Sequence, residues 1–234
     1  MRLGCVTMAY KEPRLIRPFI QAMQNRVDEI LVLNSAKPWQ GEDDGYDNTA
    51  KIAESLGATV VRYDWRIEHD QRNAGQEYFY DKDWIIILDP DEYLLDSEWD
   101  KLIKFLETAP LDAYVCKGQN TYWKKGYVIN PREDYKQIIA VRPNVRFNDI
   151  RCVDSAWDLS PVVLEHFSWA KSDEECWKKI THYSHANEFD ALKWFSEVWQ
   201  SDRTENLHPL TPESLKEAIR VVLPEELERL SLWP

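Results

Sequence analysis

The chain has 234 residues, of which 44% are hydrophobic and 30% are charged, and its formal net charge at pH 7 is −12. That length is enough for one sizeable domain with a buried core, and the composition is that of an ordinary globular protein. The negative charge argues against nucleic acid as the main partner, because binding to phosphate backbones needs clustered Lys and Arg.

Membrane and secretory segments are not expected. The longest aliphatic run has four residues, far short of the about 20 that span a bilayer, and the amino terminus shows no secretory signal. The cysteines are widely scattered and form no C-x-x-C pair, so neither a structural zinc site nor a disulfide framework is expected. They are Cys5, Cys116, Cys152 and Cys176. Reduced thiols in a cytoplasmic protein are the simplest interpretation.

The first hundred residues predict alternating strands and helices. Buried strands are predicted at 2–8, 29–34, 58–65 and 84–89, and helices at 12–27, 49–57 and 70–81. Gly57 suits a left-handed cap at the end of the second helix. Because the strands are continuously apolar and the connections are short, we expect an α/β fold with a mostly parallel sheet covered by helices on both faces.

The second half of the chain predicts shorter strands than the first half. A helix at 97–110 is followed by short strands at 113–118, 137–142 and 161–165. A long helix is predicted over 172–200, where Ser172 and Glu175 have the spacing of a capping box. The tail, 211–234, predicts two short helices separated at Pro224.

Three carboxylates crowd the end of the fourth predicted strand, in the stretch "IIILDPDEYLL". Asp89 and Asp91 are separated only by Pro90, which stiffens the turn. Ligands bind at the carboxyl ends of parallel strands, and like charges this close call for a positive partner. A divalent cation is the physical candidate, since Mg²⁺ and Mn²⁺ prefer carboxylate oxygens and bind substrate phosphates as well. The alternative is that one of the two residues caps the next helix.

The order of several stretches resembles glycosyltransferases of the GT-A fold, most closely the family 2-like bacterial enzymes. The matching stretches are "VTMAYKE" (6–12), "ILVLNS" (30–35), "DNTAKIAESLGATVV" (47–61), "QRNAG" (71–75), "ILDPDEYL" (87–94) and the segment 164–189. This resemblance implies a GT-A domain at 1–189, with a nucleotide-binding half at 1–100 and an acceptor half at 101–189. A helical extension would follow at 190–234.

The resemblance also implies roles for individual residues. Asp89 and Asp91 match the D-x-D that binds Mn²⁺ or Mg²⁺ and the nucleotide, and His166 matches a further metal ligand. The edge that binds the nucleotide would consist of Thr7, Ala9, Tyr10 and Glu12. Arg72 would lie near the nucleotide-sugar, where it could fork onto phosphate oxygens, or on a solvated helix face.

Departures from the family pattern affect nucleotide recognition. Lys11-Glu12 stands where the family has Asn-Glu, and Asn34 stands where many members have an Asp that contacts the base. An amide both donates and accepts, so the base preference stays open. The loop 35–47 is longer than usual, and Asp47 matches the next carboxylate of the family or caps the following helix.

The second half should supply the general base and the acceptor site. Inverting members use an Asp or Glu to take the acceptor proton, and Asp154, with Asp149 as the rival, is the predicted base. His182 and His185 have a spacing that can bind metal from one helical face, or they are simply exposed. Aromatic residues at 122–127, Trp157 and Trp169 suit stacking on a sugar or packing in the core.

The resemblance thus implies a metal-dependent transfer of sugar from a UDP- or GDP-sugar to a carbohydrate or other hydroxyl acceptor, with inversion. One alternative is a sugar nucleotidyltransferase, but "TMAYKEPRL" lacks the Gly-rich basic loop expected of that enzyme. The other is an inactive carbohydrate-binding relative. Self-association into a homo-oligomer stays open, since the carboxyl-terminal helices could pair with a second copy.

Overall fold

The computed structural model describes residues 1–42, 45–124, 126–132, 136–210 and 217–234. Its strands are β1 (Leu3–Ala9), β2 (Glu29–Ser35), β3 (Thr59–Tyr63), β4 (Trp84–Ile87), β5 (Glu92–Tyr93), β6 (Ala113–Val115), β7 (Gly118–Lys124), β8 (Tyr127–Asn130), β9 (Ile138–Val141), β10 (Phe147–Asp149), β11 (Cys152–Val153), β12 (Trp157–Leu159), β13 (Val163–His166) and β14 (Glu217–Arg220). Its helices are α1 (Ile16–Met23), α2 (Thr49–Ser55), α3 (Glu68–Tyr78), α4 (Asp96–Leu106), α5 (Asp173–His182), α6 (Ala191–Trp194) and α7 (Glu225–Arg229), with a π-helical turn at Phe195–Trp199.

A seven-stranded sheet in the order β12-β6-β9-β4-β1-β2-β3 forms the centre of the molecule. Strands β3, β2, β1 and β4 are parallel to one another, whereas β9 runs antiparallel between β4 and β6. Neighbouring residues of one strand enter opposite cores: Cys5 packs in one apolar cluster and Val6 in the other. Burial on both faces explains the continuously apolar strands, and the predicted α/β class is confirmed.

Helix α3 lies unusually close to the central strand β1. A Cβ atom on Gly75 would lie 2.7 Å from two carbons of Val6, and one on Gly4 would lie 2.6 Å from the Phe79 ring. Only glycine allows this approach. Because α3 also carries Arg72, this contact fixes where the arginine emerges relative to the end of β1.

A second sheet connects the acidic segment to the later part of the chain. It has the order β14-β8-β7-β13-β5. Strand β5 pairs antiparallel with β13, so that Glu92 lies opposite His166 and Tyr93 opposite Glu165. The residues after Asp91 therefore form a strand rather than a helix, and α4 begins only at Asp96. This excludes a helix-capping role for Asp89 and Asp91.

The prediction of one long helix over 172–200 is wrong, because the structure has two separate helices there with a break between them. Helix α5 begins with the predicted capping box, in which Ser172 and Glu175 satisfy each other's backbone N–H groups. It ends at His182, because Tyr183 is extended, and Asp190 caps a separate helix by accepting from the Lys193 N–H at 3.0 Å. Polar side chains that bond to nearby backbone favour such interruptions.

Two other helix predictions need correction. The predicted helix 12–27 is helical only over α1. In the tail, 211–216 lie outside the described residues, and Glu217–Arg220 forms β14, antiparallel to β8, instead of a helix. The helix after Pro224 is confirmed as α7, and Leu223, Leu227 and Leu232 pack in the main core.

Within the described ranges, no helix is both long and apolar enough to cross a bilayer. All four cysteines are free thiols, and Gly57 has the predicted positive φ, +85°.

Candidate active site

A cavity of about 430 Å³ opens at the carboxyl ends of β1 and β4. Its walls come from the residues after β1, the acidic segment after β4, one face of α3, and the chain from His166 through α5 to His185. Six of the described lining residues are acidic, namely Glu12, Glu68, Asp89, Asp91, Glu92 and Glu175. Seven are basic, namely Lys11, Lys37, Arg72, Arg151, Lys171, Lys178 and Lys179. The cavity is therefore balanced in charge although the whole chain carries −12.

Asp89 lies between two buried guanidinium groups. Its Oδ2 atom is 3.4 Å from Arg72 Nη2 and 3.5 Å from Arg151 Nη1. Arg72 also donates to Glu68 at 2.6 Å, and Arg151 forms a bidentate pair with Glu92 at 2.6 and 2.8 Å. The five side chains form one chain of alternating charge, and Arg72, 2% exposed, is not on a solvated helix face.

Asp91 faces two lysines and a histidine. Its Oδ2 atom is 3.5 Å from Lys171 Nζ and 3.9 Å from Lys179 Nζ, and its Oδ1 atom is 3.6 Å from His166 Nε2. Burial acts to raise the pKa of Asp91, but the charges of Lys171 and Lys179, together with the nearby His166 ring, hold that pKa well below its usual range. Asp91 is thus a carboxylate at neutral pH, and protein cations relieve the repulsion between the two acids.

The chemistry of Asp91 and His166 fits a divalent cation. Adjacent ligands of an octahedral Mg²⁺ ion lie about 3 Å apart, given metal–oxygen distances of about 2.1 Å, which is close to the 3.6 Å between Asp91 Oδ1 and His166 Nε2. Mg²⁺ commonly takes one or two protein ligands and fills its other positions with water and phosphate. Among the described residues, no three His, Cys, Asp or Glu side chains converge on one point. Asp89 Oδ2 faces the two arginines, whereas Asp89 Oδ1 is buried and has no hydrogen-bond partner in the described part of the chain.

The predicted nucleotide-binding residues separate into two layers. Ala9, Tyr10 and Glu12 line the cavity. Thr7 and Asn34 are buried below it, at 0% and 1% exposure, and do not belong to its lining. The Asn34 amide donates to the Ala9 carbonyl at 3.2 Å, so it holds the end of β1 in place. Within the described chain, Thr7 Oγ1 and Asn34 Oδ1 have no hydrogen-bond partner.

Helix α5 covers the residues that follow β1. The Tyr10 ring stacks on His182 with 6.2 Å between centroids, and Lys178 Nζ lies 5.0 Å from the Tyr10 ring centroid. Lys178 also donates to the Lys11 carbonyl at 2.9 Å. Burial raises the pKa of the neighbouring Glu12. These contacts hold α5 over the residues that follow β1.

The long loop after β2 contributes one wall of the cavity through Lys37, Pro38 and Trp39. Trp39 Nε1 donates to Gln71 Oε1 at 2.9 Å, and Gln40 N donates to the His182 carbonyl at 3.2 Å. Asp47 Oδ1 accepts from the Thr49 N–H at 2.8 Å, which favours the capping interpretation of Asp47.

Asp149 and Asp154, the predicted bases, are exposed and lie outside the cavity lining. Asp149 Oδ1 accepts from the Ile150 N–H at 2.8 Å, while Ile150 and Arg151 themselves line the cavity. The structure therefore does not bring either carboxylate into contact with Asp89 or Asp91.

The histidine pair predicted on one helical face is wrong, because α5 ends at His182. His185 lies beyond that end, with Nδ1 2.6 Å from Glu188 Oε1. The aromatic residues Tyr122 and Trp123 are 3% exposed and belong to the core, which supports the packing interpretation for both.

Sequence reasoning missed Glu68, Arg151, Lys171 and Lys179. The requirement for a positive partner beside the acids pointed to such cations, and three lysines between 171 and 179 were a usable signal. Arg151 carries no comparable signal, because it reaches Glu92 across 59 residues.

Comparisons with known proteins give a consistent picture. The family model described as glycosyl transferase family 2 matches residues 5–156. A TPR repeat-containing protein of Synechococcus elongatus is 26% identical over 58% of this chain and 31% of its own length. A protein named as an uncharacterized glycosyltransferase, from Rickettsia bellii, is 27% identical over 49% of this chain and 36% of its own. The chain thus spans about a third of the length of these curated relatives.

Among solved structures, S. aureus TarS 1–349 matches with a TM-score of 0.50 and 11% identity, over 76% of this chain and 64% of that one. At this identity the likeness concerns the fold alone.

Proposed function

Because this chain belongs to glycosyl transferase family 2, we propose that it moves a sugar from a UDP- or GDP-sugar to a hydroxyl group of a carbohydrate or other acceptor. We further propose that the transfer uses Mn²⁺ or Mg²⁺, inverts the anomeric carbon, and takes place in the cytoplasm, which the free cysteines favour. The observation that carries the proposal is the pair of Asp89 and Asp91, of which Asp91 is buried, in the lining of a charge-balanced cavity.

Charge balance supports the involvement of a metal. The acids and bases lining the described part of the cavity nearly cancel, so an incoming diphosphate would bring about two uncompensated negative charges. Asp89, Asp91 and His166 are the residues that would hold a divalent ion. When bound, such an ion stabilises the charge that develops on the departing phosphate oxygen.

The chain's own residues would do the remaining work. The nucleoside would lie along Ala9, Tyr10 and Glu12, and Arg72 would hold Asp89 in place at the floor of the cavity. Asp154, or its rival Asp149, would accept the proton of the acceptor hydroxyl. Both lie on the β10–β12 segment, which also delivers Arg151 to the cavity wall.

The metal assignment is tested by Asp91→Asn. This change removes a charged metal ligand but keeps the shape of the side chain, so we expect the Mn²⁺-dependent gain in UDP or GDP affinity to disappear. Isothermal titration with and without Mn²⁺ measures that gain. Asp100→Asn on the exposed face of α4 is the matched control. A normal Mn²⁺-dependent gain in folded Asp91→Asn protein would contradict the assignment.

A further inference from the structure

Lys171 is a buried ammonium group with few partners. Its side chain is 5% exposed, and among the described residues its one ion-pair partner is Asp91, at 3.5 Å. That separation is longer than a hydrogen bond of good geometry. An ammonium group has three N–H donors, and Lys171 lines the cavity, so it has donor capacity to offer a ligand there.

Lys179 approaches the same carboxylate oxygen from α5. Its Nζ atom is 3.9 Å from Asp91 Oδ2, and it donates to Ser168 Oγ at 2.6 Å and to the Ser168 carbonyl at 3.2 Å. These two hydrogen bonds hold the Lys179 ammonium group at the cavity wall. Its side chain is 18% exposed, so the group is largely shielded from solvent.

Positive charge exceeds negative charge in the part of the cavity wall formed by Lys171, Lys178 and Lys179. Burial raises the pKa of Glu12. The three lysines act to lower that pKa and the Asp91 carboxylate acts to raise it, so three ammonium groups face two carboxylates there. Glu175, which also faces Lys171, is already engaged in a bidentate pair with Arg14 at 2.7 and 2.9 Å. Buried charge in excess is costly unless an anion joins it.

We propose that Lys171 and Lys179 bind the diphosphate of the nucleotide-sugar donor and stabilise the leaving nucleoside diphosphate, an inference that rests on the proposed function. In the transfer, the anomeric carbon bonds to the acceptor oxygen and its bond to the phosphate oxygen breaks. The phosphate oxygen keeps the electron pair, and the acceptor proton goes to the carboxylate base. The leaving group gains one negative charge, which these two largely buried ammonium groups would stabilise.

Nucleotide titrations of the full chain test this inference. We expect Lys171→Met and Lys179→Met each to weaken binding of UDP or GDP about tenfold to a hundredfold, the range for a hydrogen bond to a charged group. The loss should persist in EDTA, because these lysines act on phosphate directly. Binding of the matching nucleoside, which lacks phosphate, should be unchanged. Lys104→Met, on the exposed face of α4, should bind as the wild type does, and Lys171→Arg should recover part of the loss.

The outcomes separate the two proposals. Wild-type affinity for UDP and GDP in both Met variants, or an equal loss of nucleoside binding, overturns the lysine assignment and leaves the proposed function intact. Failure of the wild-type protein to bind either nucleotide, with or without Mn²⁺, overturns both. Thermal unfolding of each variant confirms that it is folded.

Discussion

Arg151 joins three separate parts of the chain through one guanidinium group. It donates to the carbonyl groups of Ile87 and Ile138 at 2.8 and 3.1 Å and forms its bidentate pair with Glu92. Glu92 in turn accepts from the Asp89 N–H at 2.9 Å. The position of Asp89 therefore depends on an arginine that follows it by 62 residues in the sequence, so no local pattern indicates their contact.

Both candidates for the general base, Asp154 and Asp149, are exposed on the segment that leads to the cavity wall at Arg151. If Asp154 takes the acceptor proton, Asp154→Asn should lower kcat by about two to four orders of magnitude, with donor affinity unchanged. Steady-state kinetics with saturating donor measures this, and Asp158→Asn, exposed on the adjacent β12, is the control. Near-normal kcat would instead assign the role to Asp149, for which Asp149→Asn should then show the loss.

At the scale of elements, the contact of α3 with β1 sets the position of Arg72. Alanine favours a helix over glycine by about 1 kcal/mol, so Gly75→Ala would stabilise α3 if space allowed. The Cβ atom would lie 2.7 Å from Val6, and relief of such overpacking typically costs about 1–3 kcal/mol.

We therefore expect Gly75→Ala to lower the free energy of unfolding, as measured by urea denaturation. Glu77→Ala, exposed on the same helix, should change it by no more than about 0.5 kcal/mol. A Gly75→Ala protein more stable than the wild type would show that α3 does not approach β1 this closely.

Elements whose apolar pattern extends over several residues were predictable from the sequence. Strands β1, β2 and β4 follow from their continuously apolar residues, and α5 begins at its capping box. Strand β14 was not predictable, because its residues 217–220 also fit a helix and only pairing with β8 decides between the two. The sequence pointed to Asp89, Asp91, His166 and Arg72, whereas the contact of Arg151 with Glu92 across 59 residues follows only from the tertiary structure.

At the scale of the whole molecule, the distribution of charge supports an anionic ligand. The chain has a formal net charge of −12, yet the described lining of its cavity contains seven basic and six acidic residues. A chain of this net charge repels anions from most of its surface, whereas a cavity whose charges nearly cancel opposes them less. It suits a nucleotide-sugar better than a nucleic acid.

Incubation of the full chain with a panel of UDP- and GDP-sugars and Mn²⁺ tests the central claim most directly. A glycosyltransferase without its acceptor should slowly hydrolyse one donor and release free nucleoside diphosphate, and chelation with EDTA should stop the release. Exchange of pyrophosphate into the nucleotide-sugar would instead indicate a nucleotidyltransferase. Absence of turnover with every donor, in protein that is folded, would contradict the account.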